Sequence, residues 1–150
     1  MINISDLTKL DETLTDIKIC KEISEAFSYI LTKNNFENID SFVTLDFSCI
    51  PIVSLMSEKV DFKYLIPIYP TLYSYNEYKL KWEHYKCLNE KSTRIVLVES
   101  TINDFKEIDR KIKVLDYFKR KISFEILCLL CIKSNANGNF KVPVLSLIER

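Results

Sequence analysis

The apolar residues near the start of the chain follow a helical spacing. Between residues 15 and 35, either Thr15 or Asp16 is placed to act as an N-cap, and Asn34 with Asn35 forms a stop signal. Six apolar residues recur between these signals at intervals of three and four: Ile17, Cys20, Ile23, Phe27, Ile30 and Leu31. The pattern predicts an amphipathic helix.

The next part of the chain alternates strand-like and helical patterns. Residues 41–47 (SFVTLDF) form an apolar run typical of a buried strand. The segment 49–60 (CIPIVSLMSEKV) then predicts a second helix, with Pro51 in its first turn. A second strand is expected at residues 64–69 (YLIPIY), where proline limits its length.

The second half repeats this alternation after a long interruption. Residues 71–93 are polar and aromatic without a sustained period, which indicates an excursion, expected as a β-ribbon. Strands are then predicted at residues 94–98, 123–132 and 142–148. Between the first two of these strands lies a helix whose apolar stripe comprises Phe105, Ile108, Ile112, Leu115 and Phe118.

Strands that alternate with helices predict an α/β fold, with a mostly parallel central sheet flanked by helices. In such sheets ligand sites lie beyond the carboxyl ends of the strands. At 150 residues the chain fits one domain, 1–150, which buries about 70% of the surface of the unfolded chain. We therefore look for function where residues 41–47 and 94–98 end.

Composition and charge narrow the class of protein. With 47% hydrophobic and 28% charged residues, the chain has the composition of a soluble globular protein. Its longest apolar run, residues 126–132, is far shorter than the roughly 20 residues that cross a bilayer, and the start MINISDLTKLDE carries acids where a signal peptide is basic. We expect a cytoplasmic location and no membrane partner.

The charge balance and the cysteines exclude further classes. Twenty-one basic residues offset 21 acidic ones, so binding to nucleic acid is not expected. Cys128 and Cys131 lie three apart in a strand-like run, where their side chains point to opposite faces and do not converge on one metal. We expect buried thiols and predict no metal site.

The chain contains one glycine, Gly138, where average usage predicts about ten. Loops that wrap phosphate with backbone N–H groups need glycine for close approach and for positive φ. The composition therefore argues against an intact phosphate-loop enzyme.

The order of elements resembles the type I phosphoribosyltransferases, most closely orotate phosphoribosyltransferase. The segment VTLDFSCIPIVSLM is similar to that family's first strand, pyrophosphate-binding turn and helix, and IVLVESTINDFKEI is similar in position to its signature. The closing KVPVLSLI resembles the final hood strand of orotate enzymes. The resemblance implies a phosphoribosyltransferase-like fold, with a small hood formed by the termini.

The chain departs from the family where the substrate binds. By the resemblance, Glu99 stands at the first of the signature's two acids, which hold the ribose hydroxyls of phosphoribosyl pyrophosphate, and Ser100 stands at the second. Asn103 and Asp104 lie near its threonines. Phe105 and Lys106 take the place of the paired glycines, and Asp46 with Phe47 takes the place of small uncharged residues in the pyrophosphate turn. These departures predict a degenerate relative that keeps the frame and has lost the substrate.

The remnant of the ligand site is predicted at seven residues: Asp46, Ser48, Cys49, Glu99, Ser100, Thr101 and Asn103. Simpler roles remain open for several of them. Glu99 is alternatively a solvated carboxylate that caps a turn, and Ser100 and Thr101 are alternatively caps of the following helix. Cys49 precedes a helix start, where the helix dipole lowers a thiol pKa, and His84 is the only histidine that could serve it as a base. We assign no catalytic residue.

We expect a non-catalytic binding or regulatory protein, a subunit or paralogue of orotate phosphoribosyltransferase. Its expected partners are a second copy, in a homodimer, or a related phosphoribosyltransferase, in a heteromer, and a nucleotide is a possible ligand. No cofactor is expected, and magnesium only if the ancestral site is retained. Two alternatives stay open: an enzyme or nucleotide-binding protein that uses the strand-end cleft, and a nucleic-acid-binding regulator whose tyrosines and lysines lie in residues 73–86.

Overall fold

A computed structural model of the chain describes residues 16–58, 71–73, 77–79, 93–119 and 124–148. The helices are α1 (Ile17–Lys33), α2 (Ile50–Glu58) and α3 (Phe105–Lys119), and a 3₁₀ turn, Phe47–Cys49, precedes α2. The strands are β1 (Ser41–Thr44), β2 (Thr71–Tyr73), β3 (Glu77–Lys79), β4 (Thr93–Ile102), β5 (Phe124–Ser134) and β6 (Val144–Ile148). The strand predicted at residues 64–69 lies outside the described residues.

The main sheet has four strands in the order β1-β4-β5-β6, and every pair in it is parallel. This confirms the predicted parallel sheet. Strands β2 and β3 form a separate antiparallel pair within the excursion, as the expected β-ribbon requires. Strand β6, the expected hood strand, pairs with β5 in the main sheet, and residues 1–15 of the predicted hood lie outside the described residues. A single domain over 1–150 stays a prediction.

Two apolar clusters cover the two faces of the sheet. Along β4, Val96 and Val98 belong to the cluster formed with α1 and α2, whereas Ile95 and Leu97 belong to the cluster formed with α3. This alternation follows from the two-residue period of a strand. Each side of the sheet is therefore closed by a helical layer, as the pattern predicted.

The cysteines of β5 confirm their predicted geometry. Cys128 lies in the cluster of α1 and α2, and Cys131 lies in the cluster of α3. The described cysteines are all buried, as expected: Cys20, Cys49, Cys128 and Cys131. Burial raises the pKa of Cys128 to about 12 and that of Cys131 to about 11, so both thiols are protonated at neutral pH.

Helix α1 begins and ends at the predicted signals. The Oδ1 atom of Asp16 accepts the backbone N–H of Lys18 at 2.9 Å, so Asp16 is the N-cap, and Asn34 is the C-cap. Asn35 follows with a φ of 59°, the left-handed conformation that often terminates a helix. Ile17, predicted to lie on the apolar stripe, is instead 59% exposed as the first helical residue.

Strand β1 ends three residues earlier than predicted, at Thr44 and not at Phe47. The Oγ1 atom of Thr44 accepts the backbone N–H of Asp46 at 3.1 Å, which closes a tight turn directly after the strand. A polar side chain that binds the backbone two residues on competes with the strand ladder. The apolar run was therefore longer than the strand.

Strand β4 extends four residues beyond the predicted 94–98 and includes Glu99, Ser100 and Thr101. Glu99 pairs in register with Cys131, and Thr101 with Lys133. The interpretation of Ser100 and Thr101 as helix caps is therefore wrong. The residue before α3 is Asp104, whose Oδ1 atom accepts the backbone N–H of Lys106 at 2.9 Å.

A short loop, residues 135–143, connects the parallel strands β5 and β6 without a helix. Its Phe140 ring stacks on that of Phe105, the first residue of α3, with 5.1 Å between the centroids. The Nζ atom of Lys141 lies 3.1 Å from a carboxylate oxygen of Asp109. The loop is thus attached to α3 at two points. No helix in the described part of the chain is long and apolar enough to span a membrane.

Ile112 tests the packing of α3. Its side chain is 2% exposed within the α3 cluster, so replacing it with alanine should lower the free energy of unfolding by about 2–5 kcal/mol. Urea denaturation of the wild type and the variant measures this difference. The neighbouring Lys113 is exposed, and Lys113→Ala should change stability by less than about 0.5 kcal/mol. Equal stabilities of the two variants would show that α3 does not pack as described.

Candidate functional site

Five of the seven predicted site residues lie near the carboxyl ends of β1 and β4. Asp46, Ser48 and Cys49 follow β1, whereas Glu99 and Ser100 lie near the end of β4. Because the two strands are parallel neighbours, their carboxyl ends share one edge of the sheet. That these residues bind a ligand stays a prediction, and four of them make contacts in two separate groups.

The first group is organised around the carboxylate of Asp46. Its Oδ1 atom accepts the backbone N–H of Ser48 at 3.0 Å and the hydroxyl of Ser48 at 2.6 Å. Its Oδ2 atom accepts the backbone N–H of Ser100 at 3.2 Å and also the Ser100 hydroxyl. Partial burial raises the pKa of Asp46, but these bonds to Ser100 and Ser48 outweigh it and hold the pKa below its ordinary value. Asp46 is therefore an ionised carboxylate with four donors.

Thr44 fixes the turn that presents Asp46. Its side chain is fully buried, and its Oγ1 atom accepts the Asp46 N–H. The single hydroxyl proton faces the carbonyl oxygens of Val98 and Asp46, at 2.8 and 2.9 Å. The sequence analysis missed this residue. The signal that could have found it is a threonine two residues before an aspartate, a spacing at which a hydroxyl can bind the backbone N–H of the later residue.

The second group is a buried ion pair. Glu99 is only 2% exposed, and its Oε2 atom lies 3.1 Å from the Nζ atom of Lys111 on α3. Burial raises the pKa of Glu99 to about 7, an effect that Lys111 reduces and that the charges of Asp46 and Glu107 increase. The interpretation of Glu99 as a solvated carboxylate is therefore wrong.

Lys111 was not predicted from the sequence. Desolvation lowers its pKa, but the neighbouring carboxylate of Glu99 raises it by more, so the pKa of Lys111 lies above its ordinary value. On α3, Lys111 follows Ile108 by three residues and therefore lies beside the apolar stripe. A lysine at that spacing is the signal that could have found it.

Cys49 does not have the properties of a nucleophile. It is fully buried, and burial together with the charges of Asp46 and Glu99 raises its pKa well above the ordinary value. The lowered pKa considered for a thiol at a helix start is therefore wrong here. His84, its candidate base, lies outside the described residues.

The last two predicted residues do not join either group. Thr101 is half-buried at the end of β4, beside Lys133. Asn103 is exposed, and its Oδ1 atom accepts a hydrogen bond from the side-chain amide of Asn135 at 2.9 Å. These contacts connect the ends of β4 and β5 and lie apart from the Asp46 carboxylate.

Phe105 packs with the α3 cluster and stacks on Phe140, where the resemblance would place a glycine. Lys106, at the second glycine position, is exposed. Within the described ranges, no group of three or more His, Cys, Asp or Glu side chains is placed to hold a metal ion.

Several solved structures share this architecture, among them adenine phosphoribosyltransferases. UMP synthase from Leishmania donovani is similar over 83% of this chain and 24% of its own, with 17% identity and a TM-score of 0.58, so the chain spans about a quarter of that protein. An adenine phosphoribosyltransferase is similar over 91% of this chain and 84% of its own, with 10% identity and a TM-score of 0.63. The adenine phosphoribosyltransferase of Saccharomyces cerevisiae, in a complex that contains adenine, is similar over 91% of this chain and 82% of its own. The identity is 9% and the TM-score is 0.63.

These likenesses show the fold, which is phosphoribosyltransferase-like as the sequence predicted. No protein-family model matches the chain, and no curated protein matches it.

The Glu99–Lys111 pair generates a prediction about pH. A carboxyl whose pKa rises from 4.5 in the unfolded chain to about 7 in the fold binds more protons when folded. The contribution of the Glu99 carboxyl to the free energy of unfolding is therefore complete below pH 4.5 and is lost as the pH rises to 7. At 1.36 kcal/mol per pKa unit, this loss is about 3 kcal/mol. Glu99→Gln removes the titrating carboxyl, so the variant should not lose this stability. The difference in the free energy of unfolding between wild type and variant should therefore change between pH 4.5 and pH 7.

Urea denaturation at several pH values between 4.5 and 8 measures this shift. Glu125→Gln is the matched control, because it makes the same chemical change on a side chain that is 64% exposed and whose ion pair with Arg94 lies at the surface. If Glu99→Gln and wild type kept a constant difference in stability at every pH, the buried carboxyl would not titrate as described.

Proposed function

We propose that the chain is a non-catalytic phosphoribosyltransferase-fold protein that acts as a binding or regulatory subunit, or as a paralogue, of orotate phosphoribosyltransferase. The observation that carries the proposal is the burial of Glu99 against Lys111. By the resemblance, this carboxylate stands where the family's first acid holds a ribose hydroxyl.

The ion pair makes Glu99 a poor ligand for a sugar. The Glu99 side chain is only 2% exposed, and its carboxylate lies 3.1 Å from the Lys111 ammonium. Separating such a pair leaves an uncompensated buried charge, which typically costs about 3–5 kcal/mol. That cost exceeds the roughly 1.5–3 kcal/mol gained from one hydrogen bond to a charged group.

The other anchors of the family's substrate are also replaced. Ser100, at the second acid position, donates a hydrogen bond from its hydroxyl to the Asp46 carboxylate. Asp46 places an ionised carboxylate in the turn where the family holds pyrophosphate, and like charges at short range repel. The half-buried Phe105 stands where the signature has a glycine. These features support loss of phosphoribosyl pyrophosphate binding, and with it no requirement for magnesium.

The orotate assignment, the partner and the location are further parts of the proposal. The closing strand KVPVLSLI supports the orotate class, since it is similar to the final strand of orotate enzymes. The fold likeness to UMP synthase agrees with this assignment, although adenine phosphoribosyltransferases are at least as similar in fold. We propose a role beside pyrimidine nucleotide biosynthesis in the cytoplasm, as a homodimer or in a heteromer with a related phosphoribosyltransferase.

The central prediction is that the purified protein does not bind phosphoribosyl pyrophosphate. Isothermal titration in the presence of magnesium should give no saturable heat, which corresponds to a Kd weaker than about 1 mM. Glu99→Gln provides the matched baseline, because it removes the only acid left at the signature position and should give the same trace as wild type. Micromolar, magnesium-dependent binding by the wild type that is lost in Glu99→Gln would overturn the proposal.

A second prediction concerns assembly. Light scattering at high micromolar concentration should give twice the 17.7 kDa mass of the chain, because the resemblance implies a dimer and the segment 73–86 is rich in tyrosine, a residue type enriched at interfaces. A mass of 17.7 kDa alone would contradict the homodimer. Adding an active orotate phosphoribosyltransferase then tests the heteromer, which predicts a new, heavier species.

A further inference from the structure

Four hydrogen-bond donors surround the carboxylate of Asp46. Two backbone N–H groups and two hydroxyls, from Ser48 and Ser100, converge on its two carboxylate oxygens. They come from two separate elements, the 3₁₀ turn after β1 and the end of β4, and Ser100 lies 54 residues from Asp46. The arrangement does not depend on one helix N-terminus.

We propose that Asp46 is an internal ligand: its carboxylate occupies, from within the chain, a site suited to an external oxyanion such as phosphate, and thereby closes the strand end. This inference rests on the proposed function, in which the strand end of the wild type binds no phosphorylated ligand. It adds a physical reason for that loss of binding. Its physical basis is that N–H and O–H donors that stabilise a carboxylate also stabilise a phosphate oxygen.

A tethered carboxylate competes strongly with a free ion. Asp46 lies two residues from Ser48, and the Thr44 hydroxyl accepts the Asp46 N–H, so the carboxylate is held beside its donors. Tethered groups reach effective concentrations of the order of millimolar or higher, which a free anion must exceed. The lowered pKa of Asp46 agrees with donors that favour negative charge at this point. The Asp46 contact thus prevents a free anion from binding to these donors.

The site is reachable once the carboxylate is removed. Asp46, Ser48 and Ser100 are half-buried, whereas Thr44 beneath them is fully buried. In Asp46→Ala both hydroxyls and both N–H groups lose their shared acceptor at a position that still borders solvent. Inorganic phosphate should then bind at least about tenfold more tightly than to the wild type, a factor that corresponds to about 1.4 kcal/mol.

Two variants separate an opened site from a simple loss of charge. Asp40→Ala removes an aspartate at the other end of β1, where its Oδ2 atom accepts a single backbone N–H, from Arg94 at 2.7 Å. Asp46→Asn removes the charge but still fills the space between the two serines. Phosphate titration followed by ³¹P NMR and calorimetry should show a gain in Asp46→Ala and none in either of the other two.

Each outcome decides the proposal. Gain in Asp46→Ala alone supports it, whereas a folded Asp46→Ala without gain, or an equal gain in Asp46→Asn, overturns it. If Asp46→Ala does not fold, ¹³C NMR titration of the wild-type Asp46 carboxyl provides the test: a pKa below 3.8 supports the contact, and an ordinary pKa contradicts it. None of these measurements uses phosphoribosyl pyrophosphate, so their failure is distinguishable from failure of the proposed function.

Discussion

The parallel pairing of β1 with β4 determines both the core and the candidate site, and an aspartate fixes that pairing at each end. The register joins residues 54 apart along the four pairs from Ser41↔Ile95 to Thr44↔Val98. Before the strand, the Asp40 carboxylate accepts the Arg94 N–H, and beyond the strand, the Asp46 carboxylate accepts the Ser100 N–H. Both contacts keep the same offset of 54 residues. A slip of one residue would break both and reverse the faces of every side chain in β1.

The length of β4 then decides what the strand end can do. Because the strand continues to Ile102, Glu99 and Ser100 are consecutive strand residues, and their side chains point to opposite faces of the sheet. Glu99 accordingly meets Lys111 on the α3 side, and Ser100 meets Asp46 on the side of α2. The two adjacent residues therefore make separate contacts, on opposite faces of the sheet. The separation of these two contacts is therefore a matter of backbone geometry as well as of residue type.

The sequence predicted the elements well because their signals are local. Helical spacing and caps located α1, and the alternation of patterns indicated the parallel sheet. The ends of the strands were harder to predict from the sequence. The Thr44 turn and the continuation of β4 beside β5 depend on contacts between residues that are distant along the chain. The apolar Ile102 after Thr101 was the available hint that β4 extends beyond Val98.

The candidate site was predicted by position but not by interaction. Asp46 and Ser100 were each selected, yet their mutual hydrogen bonds depend on a register that no local pattern contains. Lys111 lies in the following helix, and its pairing with Glu99 depends on how α3 is rotated over the sheet. Apolar packing is non-directional, so it does not specify such a rotation on its own. We infer that the buried pair selects one orientation of α3.

The same physical device explains how the chain forms two strand-to-helix turns with hardly any glycine. After β1, the donors of Ser48 bind the Asp46 carboxylate, and after β4, the N–H of Lys106 binds the Asp104 carboxylate at 2.9 Å. Among the described residues, positive φ occurs at Asn35, Asn38 and Gly138, none of which lies in either turn. A glycine-rich turn leaves its N–H groups open to an external phosphate, whereas these turns satisfy N–H groups with aspartates of the chain itself. The absence of glycine and the presence of the two carboxylates are therefore one feature: each turn satisfies backbone N–H groups with a side-chain carboxylate of the chain and needs no residue with positive φ.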